Sequence, residues 1–212
     1  MGARLLRKIL TVYLRWLGTV APPTVTIASL TEMRDEARRL AEGAGEEERW
    51  RFRVVDVCWP NRRRYAAGES IAVSREEREE HRATALAAAA YFEERGEWET
   101  FSAMLDGYIA NSLDMGRRDD VIVAARRRLA APQLPARERG DALHVMAWAS
   151  WAKGDYDAAL RIVQEAIASI RPGDPITHLE DLLWDGAIAA YWAGRWSELA
   201  GLMSVADLLR QQ

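Results

Sequence analysis

KGDYDAALRIVQEAIA, residues 153–168, is the stretch from which the rest of the chain can be read. Gly154 and Asp155 lead into Tyr156, and Ala159, Val163 and Ala166 then recur at helical spacing, so a turn opens an amphipathic helix. The same arrangement appears in MGRRDDVIVAARRRLA (115–130) and AGRWSELAGLMSVADL (193–208). Gly116, Gly154 and Gly194 thus recur at a nearly constant interval. Self-similarity of this kind marks a stack of helical hairpins, each too small to bury its apolar face alone. The glycines then act as turn points that set a register between repeats, and not as phosphate-binding loops.

Outward from these turns the pattern predicts helices over about 98–115, 119–131, 137–153, 156–170 and 176–193, and from 196 onward. Pro132, Pro135 and the run RPGDP (171–175) break them. Ser74 and Glu77 form a capping box that opens a long helix through Ala85, Leu86, Ala89, Ala90 and Phe92 to Gly96. Ser29 with Glu32 forms another, ahead of Leu30, Met33, Ala37 and Leu40. Gly43–Ala44–Gly45 separates that helix from EEERWRFRVVDVCWP (46–60), which is helical or extended. On a helix, Trp50, Val54, Val57 and Cys58 share one face, and Pro60 ends it. NRRRYAAGES (61–70) reads as a loop, and strand-like alternation is confined to PTVTIA around Val25. The expected fold is all-α, with degenerate N-terminal helices over 1–73 running on into a repeat region over 74–212.

Composition narrows the function classes. A formal charge of −3 argues against a dedicated nucleic-acid binder, whose affinity comes largely from phosphate neutralisation. Cys58 is the single cysteine, which excludes an intramolecular disulfide and a cysteine-rich metal site, and its apolar neighbours suit an inert buried thiol. No GxxxxGK[ST], HExxH or GxSxG run is present, and His81, His144 and His178 lie far apart in sequence. Glu76–Glu77 and Asp119–Asp120 read as capping and solubility features. No catalytic residue, metal or cofactor is expected. The N-terminal run MGARLLRKILTVYLRWLGTVA (1–21) places Arg4, Lys8 and Arg15 on one helical stripe and Leu6, Leu10, Tyr13 and Leu17 on another. With Arg15 interrupting it, the apolar run is too short to span a bilayer. This amphipathic helix, ended by Pro22 and Pro23, either packs as a helix of the array or lies on a membrane surface.

The hairpins resemble the tetratricopeptide repeat (TPR). Leu143, Met146 and Ala147 stand at that family's packing positions, followed by the turn Gly154–Asp155–Tyr156 and the stripe Ala159, Val163 and Ala166. The last hairpin repeats this with Leu183, Gly186 and Ala187, then Gly194–Arg195–Trp196, then Leu199, Met203 and Ala206. The hairpin at Gly116 departs from it, with Asp119 at the aromatic position, and Pro132 and Pro172 lie off the closing position. Long, degenerate repeats such as FEERGEW (92–98) and AAYWAGRW (189–196) are similar to those of bacterial signalling regulators carrying class III cyclase or ATPase modules. The resemblance implies a right-handed superhelix of stacked antiparallel hairpins, cytoplasmic, acting by protein binding and not by catalysis.

Within such an array the first helix of each hairpin lines the concave face. Shifting by the repeat sets His144, Trp148 and Trp151 against Trp184, Ile188 and Tyr191, and against Asp106, Ala110 and Leu113 one repeat earlier, with Trp192 flanking. The candidate partner-binding residues are therefore His144, Trp148, Trp151, Trp184, Tyr191, Trp192, Asp106 and Asp114. Offset by one position from the packing stripes, the aromatics are expected to be free of the hairpin core, or else to pack on neighbouring hairpins. The Arg126–Arg127–Arg128 run adds polar selectivity or is a solvated face. An open groove here would suit a peptide or helix and a closed cavity a small apolar or cationic ligand, while clustered histidine and carboxylates with perturbed titration would point to an enzyme. The last helix carries Leu199, Leu202, Met203 and Ala206 on one face and Val205 and Leu208 on another, with no capping helix after it. That pattern suggests a segment of a larger protein, or an end covered by a partner or by a second copy through this helix.

Overall fold

The computed structural model describes residues 27–58, 60, 64, 73–169 and 178–209. Among them are nine helices and no strand: α1 (Ile27–Glu42), α2 (Glu46–Asp56), α3 (Arg75–Glu93), α4 (Trp98–Asp114), α5 (Arg118–Leu129), α6 (Ala136–Ala152), α7 (Tyr156–Ser169), α8 (Leu179–Trp192) and α9 (Trp196–Leu209). They form two compact units that meet within α3, between Ala88 and Ala89. The amphipathic N-terminal segment, Pro22 and Pro23, the alternation near Val25, most of NRRRYAAGES, the RPGDP break and residues 210–212 lie outside the described residues. So do the side chains of Ser29, Leu30 and Leu208.

In the first unit α1 packs on α2, and the Arg34 guanidinium grips the Asp56 carboxylate, with Nη2 at 3.2 Å from Oδ2. Residues 46–56 are helical, and their buried positions are Glu48 and Val55, two turns apart. The expected face of Trp50, Val54, Val57 and Cys58 is only half-buried. Ser29 already lies within α1 as described from Ile27, and so is not its cap. The capping box at α3 forms as the pattern predicts. The Ser74 amide donates to Glu77 Oε2 (2.8 Å), and the Glu77 amide donates to Ser74 Oγ (3.1 Å).

The second unit contains the repeats. Four of its turns are built alike, at Gly96, Gly116, Gly154 and Gly194, each with φ between +69° and +86°. At Gly154 the glycine amide donates to Trp151 O and the Asp155 amide to Ser150 O; the other three reproduce this pair of bonds. A residue with a Cβ would strain this left-handed position, which is why glycine recurs there. The turn at Gly96 belongs to the same set, beyond the three legible in the spacing. Helix α5 starts at Arg118, two residues after its glycine as Tyr156 and Trp196 are after theirs. Arg118, and not Asp119, therefore stands where the other hairpins carry an aromatic.

Two cores run through this stack. Ile109, Val121, Ala125, Met146 and Ala149 hold α4, α5 and α6 together. Ala147, Val163, Leu179, Leu182, Leu183 and Leu202 hold α6 to α9. At Gly186 a Cβ would lie 2.9 Å from Val163 Cγ1 and 3.0 Å from Leu202 Cδ1, so the α8 backbone there rests directly on side chains of α7 and α9. Among the described side chains of α9 Leu202 is the buried one, whereas Met203, expected on the packing stripe, is 44% exposed. Four side-chain pairs join residues 34 apart: Glu93–Arg127, Asp119–Lys153, Trp151–Asp185 and Gln164–Glu198. Trp151–Asp185 joins the first helices of two neighbouring hairpins, and Gln164–Glu198 joins their second helices.

Candidate interaction surface

The Arg128 side chain, in α5, is 1% exposed and sits at the head of a polar line across the first helices of the hairpins. Its Nε donates to Ser102 Oγ (2.9 Å), Nη2 to Glu138 Oε2 (3.0 Å), and Nη1 to Asp141 Oδ2 (2.6 Å) and Asp106 Oδ1 (3.3 Å). Ser102 in turn donates to Glu138 Oε2 at 2.7 Å. A guanidinium survives burial only when so paired, and here α4 and α6 supply the partners that hold an arginine of α5. Three carboxylates share this one cation. Asp106 is pushed up to about 6, by burial of its carboxyl first and then by the Asp141 charge, against the pull of Arg128. Half of its side chain (52%) nevertheless meets water, which screens those charges. Of the arginine run, Arg128 is buried and not a solvated face. Arg127 reaches Glu93, and Arg126 is exposed.

Asp141 passes the line on to a histidine pair. His178 Nε2 lies 3.8 Å from Asp141 Oδ1, and its Nδ1 lies 3.3 Å from Asp181 Oδ2. Its ring stacks on that of His144 at 6.1 Å, with planes 10° apart. His178 holds φ +69°, a left-handed conformation uncommon outside glycine, just ahead of α8. His144 Nδ1 meets Asp185 Oδ2 (2.8 Å), and Trp151 Nε1 donates to Asp185 Oδ1 (2.8 Å), so both oxygens of this 2%-exposed carboxylate are engaged. Burial disfavours the His144 imidazolium, but the bond to Asp185 and the charges of Asp185, Asp181 and Asp141 outweigh it and raise its pKa. Histidines far apart in sequence are thus adjacent in space. Among the described residues no three His, Cys, Asp or Glu side chains are placed to hold a metal ion.

The expected aromatics divide into two sets. Trp148 and Trp151 stand edge to face at 6.0 Å and pack half-buried on the two cores, so they take part in joining the hairpins. Trp184, Tyr191 and Trp192 are 67%, 53% and 64% exposed. Tyr191 makes edge contacts with Trp192 (5.5 Å) and with Trp196 (5.6 Å), which is itself 61% exposed. The division follows from stacking. Trp151 is covered by α8, and no described hairpin stands over its equivalent, Tyr191. Asp106 joins the Arg128 cluster, and Asp114 is exposed at the end of α4.

Two crystal structures resemble this fold over nearly its whole length. Both are of a kinesin light chain-like protein of Podosopora anserina with nearly identical TPR-like repeats, one of them a single-residue variant. Each has a TM-score of 0.64 at 15% identity, covering 99% of this chain and 96% or 95% of the other. The fold is a TPR-like helical repeat. No family model matches the sequence, and no curated protein is similar to it. In the TPR-like register Glu138 and His178 are equivalent, as are Asp141 and Asp181, each pair one repeat apart. That spacing was the one signal that could have found them. Arg128 was legible only as one of an arginine run, and Asp185 and Trp196 were missed as surface residues, because partners from other helices give them their roles.

Proposed function

We propose that the TPR-like array is a protein-interaction module that takes a peptide or helix along the face of its first helices. Trp184, Tyr191 and Trp192 supply apolar contact, and His144, Trp148, Trp151, Asp106 and Asp114 flank them. The observation that carries this reading is the exposure of Trp184, Tyr191 and Trp192, more than half of each, beside the line from Arg128 to Asp185. Rigid aromatics give large contact area at little entropic cost and dominate hot spots. Although histidines and carboxylates cluster here with shifted titration, their geometry favours binding over catalysis. Ser102, the hydroxyl within the network, is already committed to Arg128 and Glu138, and both Asp185 oxygens are held. The resemblance to bacterial signalling regulators extends the reading to a cytoplasmic module whose partner is a cyclase or ATPase domain.

A displayed library of helical peptides tests the proposal. Enriched peptides should quench or shift tryptophan emission, and Trp184→Ala with Trp192→Ala should weaken them about tenfold or more while the helical circular dichroism persists. Unchanged affinity in that double variant would remove these residues from the surface. A second reading, a small-ligand sensor, rests on the groove between α8 and α9 beside Trp184. At about 280 Å³ this groove is small for a drug-sized molecule.

A further inference from the structure

The groove between α8 and α9 is the place where a further helix of the array would lie. Leu183 and Trp184 line one side, Leu202 and Met203 the other, and Glu180 and Asp181 stand at its mouth. Shifted back by one repeat, Leu183, Trp184 and Met203 become Leu143, His144 and Val163, and α8 covers that earlier platform. The exposures record the difference. Val163 is 0% exposed and Met203 44%; the His144 side chain is 26% exposed and Trp184 67%. The same interface thus continues one repeat further with no described helix upon it.

We propose that this groove receives residues 1–21 of a second copy, joining copies head to tail. Two observations choose this occupant. The chain's charge of −3 divides into +4 over positions 1–21, which hold no Asp or Glu, and −7 over the rest. Arg4, Arg7, Lys8 and Arg15 are therefore matched to a groove whose mouth is Glu180 and Asp181, both exposed. The segment's sequence also carries the apolar stripe Leu6, Leu10, Tyr13 and Leu17, which as a helix runs roughly 16 Å. Helix α8, of 14 residues, is about 20 Å long, so the stripe fits along it. Such contact is heterologous, and copies add as a ring or an open chain. The groove shares Trp184 with the proposed peptide surface, so the test turns on Met203 and on residues 1–21, which that reading does not use.

Light scattering of the full chain during size exclusion, across a concentration series, tests it. Mass should rise above the monomer with concentration, fall at about 0.5 M salt, and return to the monomer when a synthetic peptide of residues 1–21 is added in excess. Met203→Arg, at a position already open to water, should weaken assembly at least tenfold with the helical circular dichroism kept, and Asp181→Lys should act in the same direction. A chain monomeric at every concentration that binds no peptide would overturn the proposal. So would an assembly indifferent to both the peptide and Met203→Arg, which would place the contact elsewhere. Peptide that binds anionic phosphatidylserine vesicles but not the protein would assign the segment to a membrane surface instead, and overturn it equally.

Discussion

Glu77 closes the capping box of α3 and also receives both Arg64 nitrogens, at 2.6 and 3.1 Å. The Arg64 guanidinium first, and then the Ser74 amide, hold its carboxyl down at about 2. A depressed carboxylate contributes stability that is present above its ordinary value of 4.5 and lost as pH falls through 2. Glu77→Gln should therefore cost about 1 kcal/mol in denaturant melts at pH 7, with a gap to the wild type that closes as pH falls from 4.5 toward 2. A pH-independent gap would deny the charge its role. His144 has the opposite sign. Its raised value means that the contribution is complete below 6.5 and disappears as pH rises through the folded value. His144→Gln should destabilise at pH 5.5 and much less at pH 8.5; equal losses at both would show that packing alone is at stake. The capping box was legible because serine and glutamate lie three residues apart. The His144–Asp185 bond was not, because it links residues 41 apart through a turn whose path no local pattern records.

At the scale of elements, α8 is positioned by the absence of a side chain. Gly186→Ala would press a methyl group against Val163 and Leu202, at a cost of about 1–3 kcal/mol. Gly201, in exposed α9 with nothing within 4 Å, should instead gain roughly 0.5–1 kcal/mol as Ala. Thermal melts of the two variants should move in opposite directions, and a stabilised Gly186→Ala would mean that α8 crosses with room to spare. Helix extents were legible to within a few residues because glycine turns and proline breaks mark them in the sequence. Which side of a helix meets its neighbour was less so. On α9 the apolar run Leu199, Leu202, Met203 and Ala206 fits a stripe centred on either Leu202 or Met203, and the close approach of α8 at Gly186 is to Leu202.

For the molecule as a whole, the register from three glycines was enough to give an all-α stack, and the structure adds a fourth turn of the same design at Gly96. The candidate surface was half legible. Its aromatics follow the repeat, whereas Arg128, in a run that reads as a solvated face, is a buried charge, and so is Asp185, which no pattern singles out. The 34-residue ties have a mechanical consequence. Each links a hairpin only to the one beside it, so tension along the stack is borne by one junction at a time. At the last junction those ties are Trp151–Asp185 and Gln164–Glu198, joined by the Arg195–Asp157 pair, which is 38 apart. Drawn out in an optical trap by its C-terminal end, the second unit should lengthen in a staircase, α8–α9 yielding first. Each step should release one repeat, roughly 130–145 Å of contour. A single rip of the whole unit would mean that force is shared across the stack and not passed from neighbour to neighbour.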